Sequence, residues 1–203
     1  MGAKRSELRI IGGKWKGRKL HFTDAPGLRP TLGRTRETLF NWLRPTLAGA
    51  RCLDLFAGSG ILGFEALSQG AESVCMVEKH GAAAAALKRN RADLDCEERC
   101  AVVRQDVRAY LRRAGTAQEC FDVVFVDAPF DQPALLTRTI ETIKTERLAR
   151  RLIYVEAREH SLLSSLADDR WHLSRQTRAG DAHAALFSVQ DPAQAVAAPE
   201  AHR

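Results

Sequence analysis

The chain has 203 residues, 45% apolar and 28% charged, with a formal charge of +6. That suits one full domain with an appendage, or a single large α/β domain. No apolar run approaches the ~18 residues of a membrane span, and Met1–Glu7 lacks the apolar stretch of a secretory signal, so a cytoplasmic protein is expected. The five cysteines at 52, 75, 96, 100 and 120 include no CxxC pair. They are expected to be small buried apolar residues, and no metal is expected.

The charge is unevenly placed. Residues 1–51 hold twelve Lys/Arg against three Asp/Glu, and the remainder nineteen against twenty-two, so the whole positive excess lies in the first quarter of the chain. Leu8–Ile11 and Lys19–Phe22 are short extended candidates around Gly12-Gly13 and Gly17, a hairpin pattern. Arg9, Lys14, Lys16, Arg18 and Lys19 surround Trp15 and Phe22. Cations with interleaved aromatics suit a phosphate backbone with occasional base stacking, and a solvated charged face is the plainer alternative. An irregular Gly27–Thr31 loop follows. A helix over Thr35–Leu43 is then predicted, with Leu39, Trp42 and Leu43 on one face and Pro45 ending it.

From residue 50 a βα alternation takes over. Strands are predicted at 51–56, 73–78, 101–104, 123–127 and 152–157. Helices are predicted at 61–69, 81–90, 107–112, 133–146 and 161–168. The spacing implies a mostly parallel sheet covered on both faces. Two strand-like runs, 171–178 and 184–189, meet at Ala179-Gly180-Asp181 and predict a C-terminal antiparallel hairpin. Residues 190–203 have no period and are expected to be a disordered tail.

Two motifs carry chemistry. Cys52–Phe56 leads into Ala57-Gly58-Ser59-Gly60-Ile61-Leu62-Gly63, a G-x-G-x-x-G in strand–loop–helix context that brings backbone N–H groups close to a nucleotide. Asp54, four residues before the first glycine, would repel a pyrophosphate and attract a cation, which suits S-adenosylmethionine and counts against an NAD-dependent dehydrogenase. Glu78 ends the next strand, where a carboxylate takes ribose hydroxyls. Asp106 follows the third strand and can serve an adenine amino group or cap a helix. The second motif is Asp127-Ala128-Pro129-Phe130 after Val123–Val126. Asp127 and the Ala128 carbonyl can each accept an N–H from an exocyclic amine, and Phe130 can stack on its ring. Pro after a strand also simply makes turns. The six histidines, at 21, 80, 160, 172, 183 and 202, show no triad or metal spacing.

On these residues the chain resembles the Rossmann-like S-adenosylmethionine-dependent methyltransferases. Asp127-Ala128-Pro129-Phe130 is similar to the (Asp/Asn)-Pro-Pro-(Phe/Tyr) motif of enzymes that methylate exocyclic amines of bases. Alanine stands where that motif has its first proline. Leu8–Arg18, together with Arg29-Pro30-Thr31 and Arg34–Glu37, resembles the RsmD family, and the resemblance spans about residues 8–189. It implies transfer of a methyl group to N2 of a guanine in small-subunit (16S) ribosomal RNA. The implied catalytic set is Asp127, Ala128, Pro129 and Phe130. The implied cofactor set is Asp54, Phe56, Gly58, Gly60, Glu78, Lys79, Asp106, Val107 and Asp127. The implied RNA contacts are Arg9, Lys14, Trp15, Lys16, Arg18, Lys19, Arg34 and Arg36. Ribosomal RNA or a small-subunit assembly particle is the expected partner, with no membrane, and a monomer is expected. The organisation expected is a basic N-terminal hairpin extension over 1–30, a methyltransferase domain over 31–189 and the tail. Adenine-N6 methylation of DNA or RNA, and a non-catalytic RNA-binding protein on the same fold, remain alternatives.

Overall fold

The structure, a computed structural model, describes residues 5–23 and 33–190. Its core is a seven-stranded sheet in the order β5-β4-β3-β6-β7-β9-β8. Those strands are β3 (Arg51–Asp54), β4 (Ser73–Glu78), β5 (Cys100–Arg104), β6 (Phe121–Val126), β7 (Ala149–Ala157), β8 (Trp171–Ala179) and β9 (Ala182–Val189). The first five pair in parallel, and β9 pairs antiparallel with both β7 and β8. Parallel strands are buried on both faces, so β6 reads as a nearly continuous apolar run, and the burial of β3 does not alternate along the strand.

The helices cover the two faces and divide the core in two. One side packs around Phe40, Phe64, Phe125 and Tyr154. The other packs around Tyr110, Ile140, Ile153, Trp171 and Phe187. The helices are α1 (Gly33–Leu47), α2 (Ile61–Ser68), α3 (Gly81–Asp93), α4 (Val107–Thr116), α5 (Pro133–Thr145) and α6 (His160–Ser164). Pro45 does not end α1; it lies inside it. Its missing N–H removes a single bond near the helix end, and the fully buried Leu43 and Leu47 on either side hold the last turn in place. The helix predicted to reach residue 168 stops at Ser164. The Asp168 carboxylate instead accepts the backbone N–H groups of Arg170 and Trp171 and pairs with Lys144, forming a turn. All five cysteines are free, with Cys52, Cys96 and Cys100 buried and Cys75 and Cys120 half-buried. No helix among the described residues is long and apolar enough to cross a membrane.

The N-terminal strands β1 (Arg5–Arg9) and β2 (Lys19–Thr23) form the expected antiparallel hairpin, with Leu8 opposite Leu20. The hairpin is docked, not free-standing. Ile10, Trp15 and Leu20 enter the same apolar cluster as α1, α2 and α3. Gly13 has φ +74°, and a Cβ there would run into the Ser68 carbonyl at the end of α2. Around that close approach the Ser68 hydroxyl accepts the Trp15 N–H at 2.9 Å and donates to the Gly12 carbonyl. Glu65 accepts the Ile11 N–H, and Asn90 on α3 brackets His21 through both its amide atoms at 2.9 Å.

Trp15 is 5% exposed, so the reading of it as a base-stacking surface residue is corrected. A tryptophan between lysines is amphipathic in sequence, and the docked turn places its ring inward. Trp15→Ala is expected to lower folding stability by about 3–5 kcal/mol, and Lys14→Ala to change it by no more than about 0.5 kcal/mol. Urea unfolding of the two variants beside the parent chain measures the difference.

Candidate active site

β3 is flanked by β4 on one side and β6 on the other, so the chain leaves β3 in one direction and returns to the sheet on its other edge. That is the topological switch point at which open α/β sheets bind ligands, beyond the carboxyl ends of the strands. A cleft of about 960 Å³ opens there, within the size range of small-molecule sites. Its lining includes Asp54 at the end of β3 and Gly58 beyond it, Glu78 at the end of β4 and Lys79 beyond it, Asp106 and Val107 after β5, and Asp127 to Phe130 after β6. Two motifs far apart in sequence thus share one cavity.

Gly60 occupies the N-cap of α2 at φ +79°, and a Cβ there would strike Leu87 and Phe64. Only glycine turns the chain so tightly into the helix. Gly63 fits against Met76, whose Cε would lie 2.6 Å from a Cβ at this position. Gly58 donates its N–H to Glu78 Oε2 at 2.9 Å, and His80 N donates to Oε1 at 2.7 Å. These two bonds orient the carboxylate, and each oxygen keeps acceptor capacity for a ligand hydroxyl. The glycine loop and the acid of the next strand form one unit.

Asp54 lies deeper than a simple contact residue. It is 2% exposed, and its Oδ2 finds no hydrogen-bond partner among the described residues. Burial pushes its pKa up to about 7; backbone N–H groups of Gly63 and Phe56 oppose the shift, and the nearby Glu78 charge adds to it. A buried carboxylate with an unsatisfied oxygen at a cleft wall suits a cationic ligand, which would stabilise the ionised form.

Asp106 does what its alternative reading anticipated. It caps α4 by accepting Arg108 N at 3.0 Å and also pairs with the Arg108 side chain at 3.2 Å, while still lining the cleft. Val107 is buried, Phe56 is half-buried and Lys79 is exposed at the rim. In the tetrapeptide, Ala128 is buried and Asp127, Pro129 and Phe130 are half-buried. The Pro129 carbonyl accepts Gln132 N at 3.0 Å, closing the turn before Pro133 opens α5.

The basic residues expected to contact RNA divide between the hairpin and α1. Arg9, Lys14, Lys16, Arg18 and Lys19 are exposed on the docked hairpin. Arg9 bonds the Gly17 carbonyl, Arg18 the Asp93 carbonyl, and Lys19 pairs with Glu7 at 2.9 Å. Arg34 is exposed on α1. Arg36 is 4% exposed, and burial holds its pKa below the usual value against the pull of Glu65 and Glu37. It faces the interior, so its assignment as a surface phosphate ligand is corrected. The Arg29-Pro30-Thr31 motif and the 190–203 tail lie outside the described residues, apart from Gln190. Sequence reasoning missed Arg138, Glu156 and Arg158, which also line the cleft. Only Glu156, an acid inside an apolar strand, carried any local signal. Among the described residues no cluster of His, Cys, Asp or Glu could hold a metal ion.

The family model described as Conserved hypothetical protein 95 matches residues 8–188. Over 183 residues the chain is 43% identical to ribosomal RNA small subunit methyltransferase D of Escherichia coli K12, covering 89% of each. It is 40% identical over 182 residues to the protein of that name from Haemophilus influenzae, covering 87% of this chain and 91% of the other. The solved structure of the Escherichia coli yhhF protein superimposes with a TM-score of 0.79 at 39% identity, covering 91% of this chain and 99% of that one.

The raised pKa of Asp54 has a definite sign in stability. The folded carboxyl keeps its proton up to about pH 7, and the unfolded one only to about pH 4. Ionisation therefore increasingly favours the unfolded chain as pH rises through that window. Asp54→Asn is expected to remove on the order of 2 kcal/mol of stability loss between pH 5 and pH 8, measured by urea unfolding of variant and parent at both pH values.

Proposed function

This chain belongs to the ribosomal RNA small subunit methyltransferase D family, and we propose that it transfers a methyl group from S-adenosylmethionine to the exocyclic N2 of a guanine in small-subunit (16S) ribosomal RNA. The observation that carries this reading is the meeting of the glycine loop, Asp54, Glu78 and Asp127–Phe130 in one cleft at the β3/β6 switch point.

The residues fit the cofactor. The orphaned oxygen of buried Asp54 suits its cationic end. Glu78, held by Gly58 and His80, suits two ribose hydroxyls. Phe56 and Val107 offer apolar surface to the adenine, with Asp106 and Lys79 at the edge. Bound there, S-adenosylmethionine supplies an electrophilic methyl group on a sulfonium.

The chain's own residues prepare the acceptor. A guanine amine is a poor nucleophile because its lone pair is delocalised into the ring. Asp127 and the Ala128 carbonyl accept its two N–H bonds and favour a pyramidal nitrogen whose lone pair points away from the ring. Phe130 stacks on the base, which must leave its own stack to enter the cleft. Alanine at 128 costs the motif little, because the carbonyl is the working group and Pro129 already biases residue 128 toward extended backbone. Positioning and electrostatics supply the acceleration, and no strong base is needed since the amine becomes acidic as it is alkylated. Lys14, Lys16 and Arg34, with Arg138 and Arg158 at the rim, attract RNA phosphates.

The decisive test is nucleoside analysis of small-subunit RNA, from cells lacking the protein, after incubation with it. N2-methylguanosine is expected, and N6-methyladenosine would overturn the assignment. Asp127→Ala is expected to leave cofactor affinity within about threefold and to lower kcat by about 100-fold or more. Near-normal turnover in that variant would take Asp127 out of the mechanism. Replacing both Lys14 and Lys16 by alanine is expected to weaken RNA binding and to reduce the slope of log K against log salt by roughly 2, measured by filter binding across a salt series.

A further inference from the structure

Glu156 lies at the carboxyl end of β7, 4% exposed, and lines the cleft, yet the chemistry described so far gives it no task. β6 and β7 are parallel with Val126 opposite Val155. One step further, just past the end of β6 and still on β7, Asp127 and Glu156 come to neighbouring positions, at an inter-strand spacing of roughly 5 Å. Side chains alternate between faces. Phe125 and Tyr154 are paired in register, and their rings meet edge-on at 6.4 Å between centroids. Two residues on, Asp127 and Glu156 rise above that ring pair from the same face.

Within the core, the Tyr154 hydroxyl donates to Glu156 Oε1 at 2.6 Å. Tyr154 also senses the Asp127 charge. The two carboxylates therefore stand side by side at the cleft, with one tyrosine beneath both.

A second acid beside the amine-gripping one is not needed for methyl transfer. It matters for which base is accepted. Guanine presents N1–H directly beside its 2-amino group, so two adjacent groups on that edge are donors. Adenine presents a bare N1 lone pair beside its amino group. With Asp127 and the Ala128 carbonyl on the amine, a carboxylate on the ring-nitrogen side complements guanine and faces the adenine lone pair with like polarity.

We propose that Glu156 accepts the N1–H of the target guanine and so sets the choice of base, with Tyr154 as the positioning residue that fixes its carboxylate. This rests on the guanine-N2 reading of the same cleft. The energetic logic is that of sites built to hydrogen-bond a substrate group. An analogue lacking the donor sets a ring lone pair against the carboxylate oxygen that the donor would have met, and such sites discriminate far more strongly than apolar pockets.

The test changes the ring-nitrogen edge of the substrate base. Small-subunit RNA is ligated to carry, at the mapped target position, either guanosine or 2,6-diaminopurine riboside. The analogue keeps the 2-amino group, replaces N1–H with a lone pair and O6 with an amino group, so the part of the loss that Glu156→Gln relieves is the part owed to Glu156. The parent enzyme is expected to show a kcat/KM at least ~100-fold lower on the analogue. Glu156→Gln, whose amide can turn either its carbonyl or its NH2 toward the ring, is expected to shrink that ratio below ~10-fold, with calorimetric binding of S-adenosylmethionine unchanged.

If Glu156→Gln fails to fold, Tyr154→Phe serves in its place and is expected to shrink the ratio too. Similar rates of the parent enzyme on both RNAs would overturn the role of Glu156 and leave the N2 assignment intact. A full ratio retained in the variant would likewise overturn it. Absence of N2-methylation on the guanosine RNA would instead remove the proposed function itself.

Discussion

The parallel pairing of β3 with β4 on one side and β6 on the other governs the site. Asp54 lies opposite Met76 on β4 and Phe125 on β6, so the loops that follow these strands emerge together at one end of the sheet. If β6 paired elsewhere, the glycine loop and the Asp127 turn would not share a cavity. Two loop hydrogen bonds extend the pairing past the strand ends, from Leu55 N to the Phe125 carbonyl and from Ala57 N to the Val77 carbonyl. They tie the glycine loop to both neighbours.

This arrangement concentrates carboxylates where the interior has little water. Asp54, Glu78 and Glu156 are all buried at strand ends around the cleft. Each is handled differently. Glu78 is satisfied by backbone N–H groups and Glu156 by a tyrosine hydroxyl, while Asp54 keeps one oxygen without a partner and carries a raised pKa. Burial of an unsatisfied acid is costly, and natural proteins tolerate such cost mainly at functional sites. The acid least satisfied by the protein itself is the one best suited to a cationic ligand.

The N-terminal hairpin shows how a basic segment can be both surface and core. Arg9, Lys14, Lys16, Arg18 and Lys19 are exposed, while Ile10, Trp15 and Leu20 complete the apolar cluster over α2 and α3. Gly12-Gly13 permits the contact with Ser68 and Gln69 that anchors it. The charged face is thereby held at a fixed orientation to the rest of the molecule, which a flexible basic arm would not achieve.

Much of the fold was legible because its signals are local. Strand and helix periods, Gly58, Gly60 and Gly63 before a helix, and the acids at 54, 78 and 127 could be read without knowing what lies beside them, and the cleft lining includes all three acids. What required the tertiary structure was every question of which side faces what. Trp15 and Arg36 carry surface-like neighbours in sequence yet are buried, because the partner surfaces, α2 and the core beneath α1, come from elsewhere in the chain. Pro45 stayed within its helix because long-range burial of Leu43 and Leu47 outweighs one lost hydrogen bond. Glu156 had no motif at all; it joins the site only through strand register with β6 and the hydroxyl of Tyr154. Sequence by itself determined the chemistry available at each strand end, since residue type and spacing are one-dimensional. Only the tertiary structure decided which of those groups meet, since strand order and burial depend on contacts between distant segments.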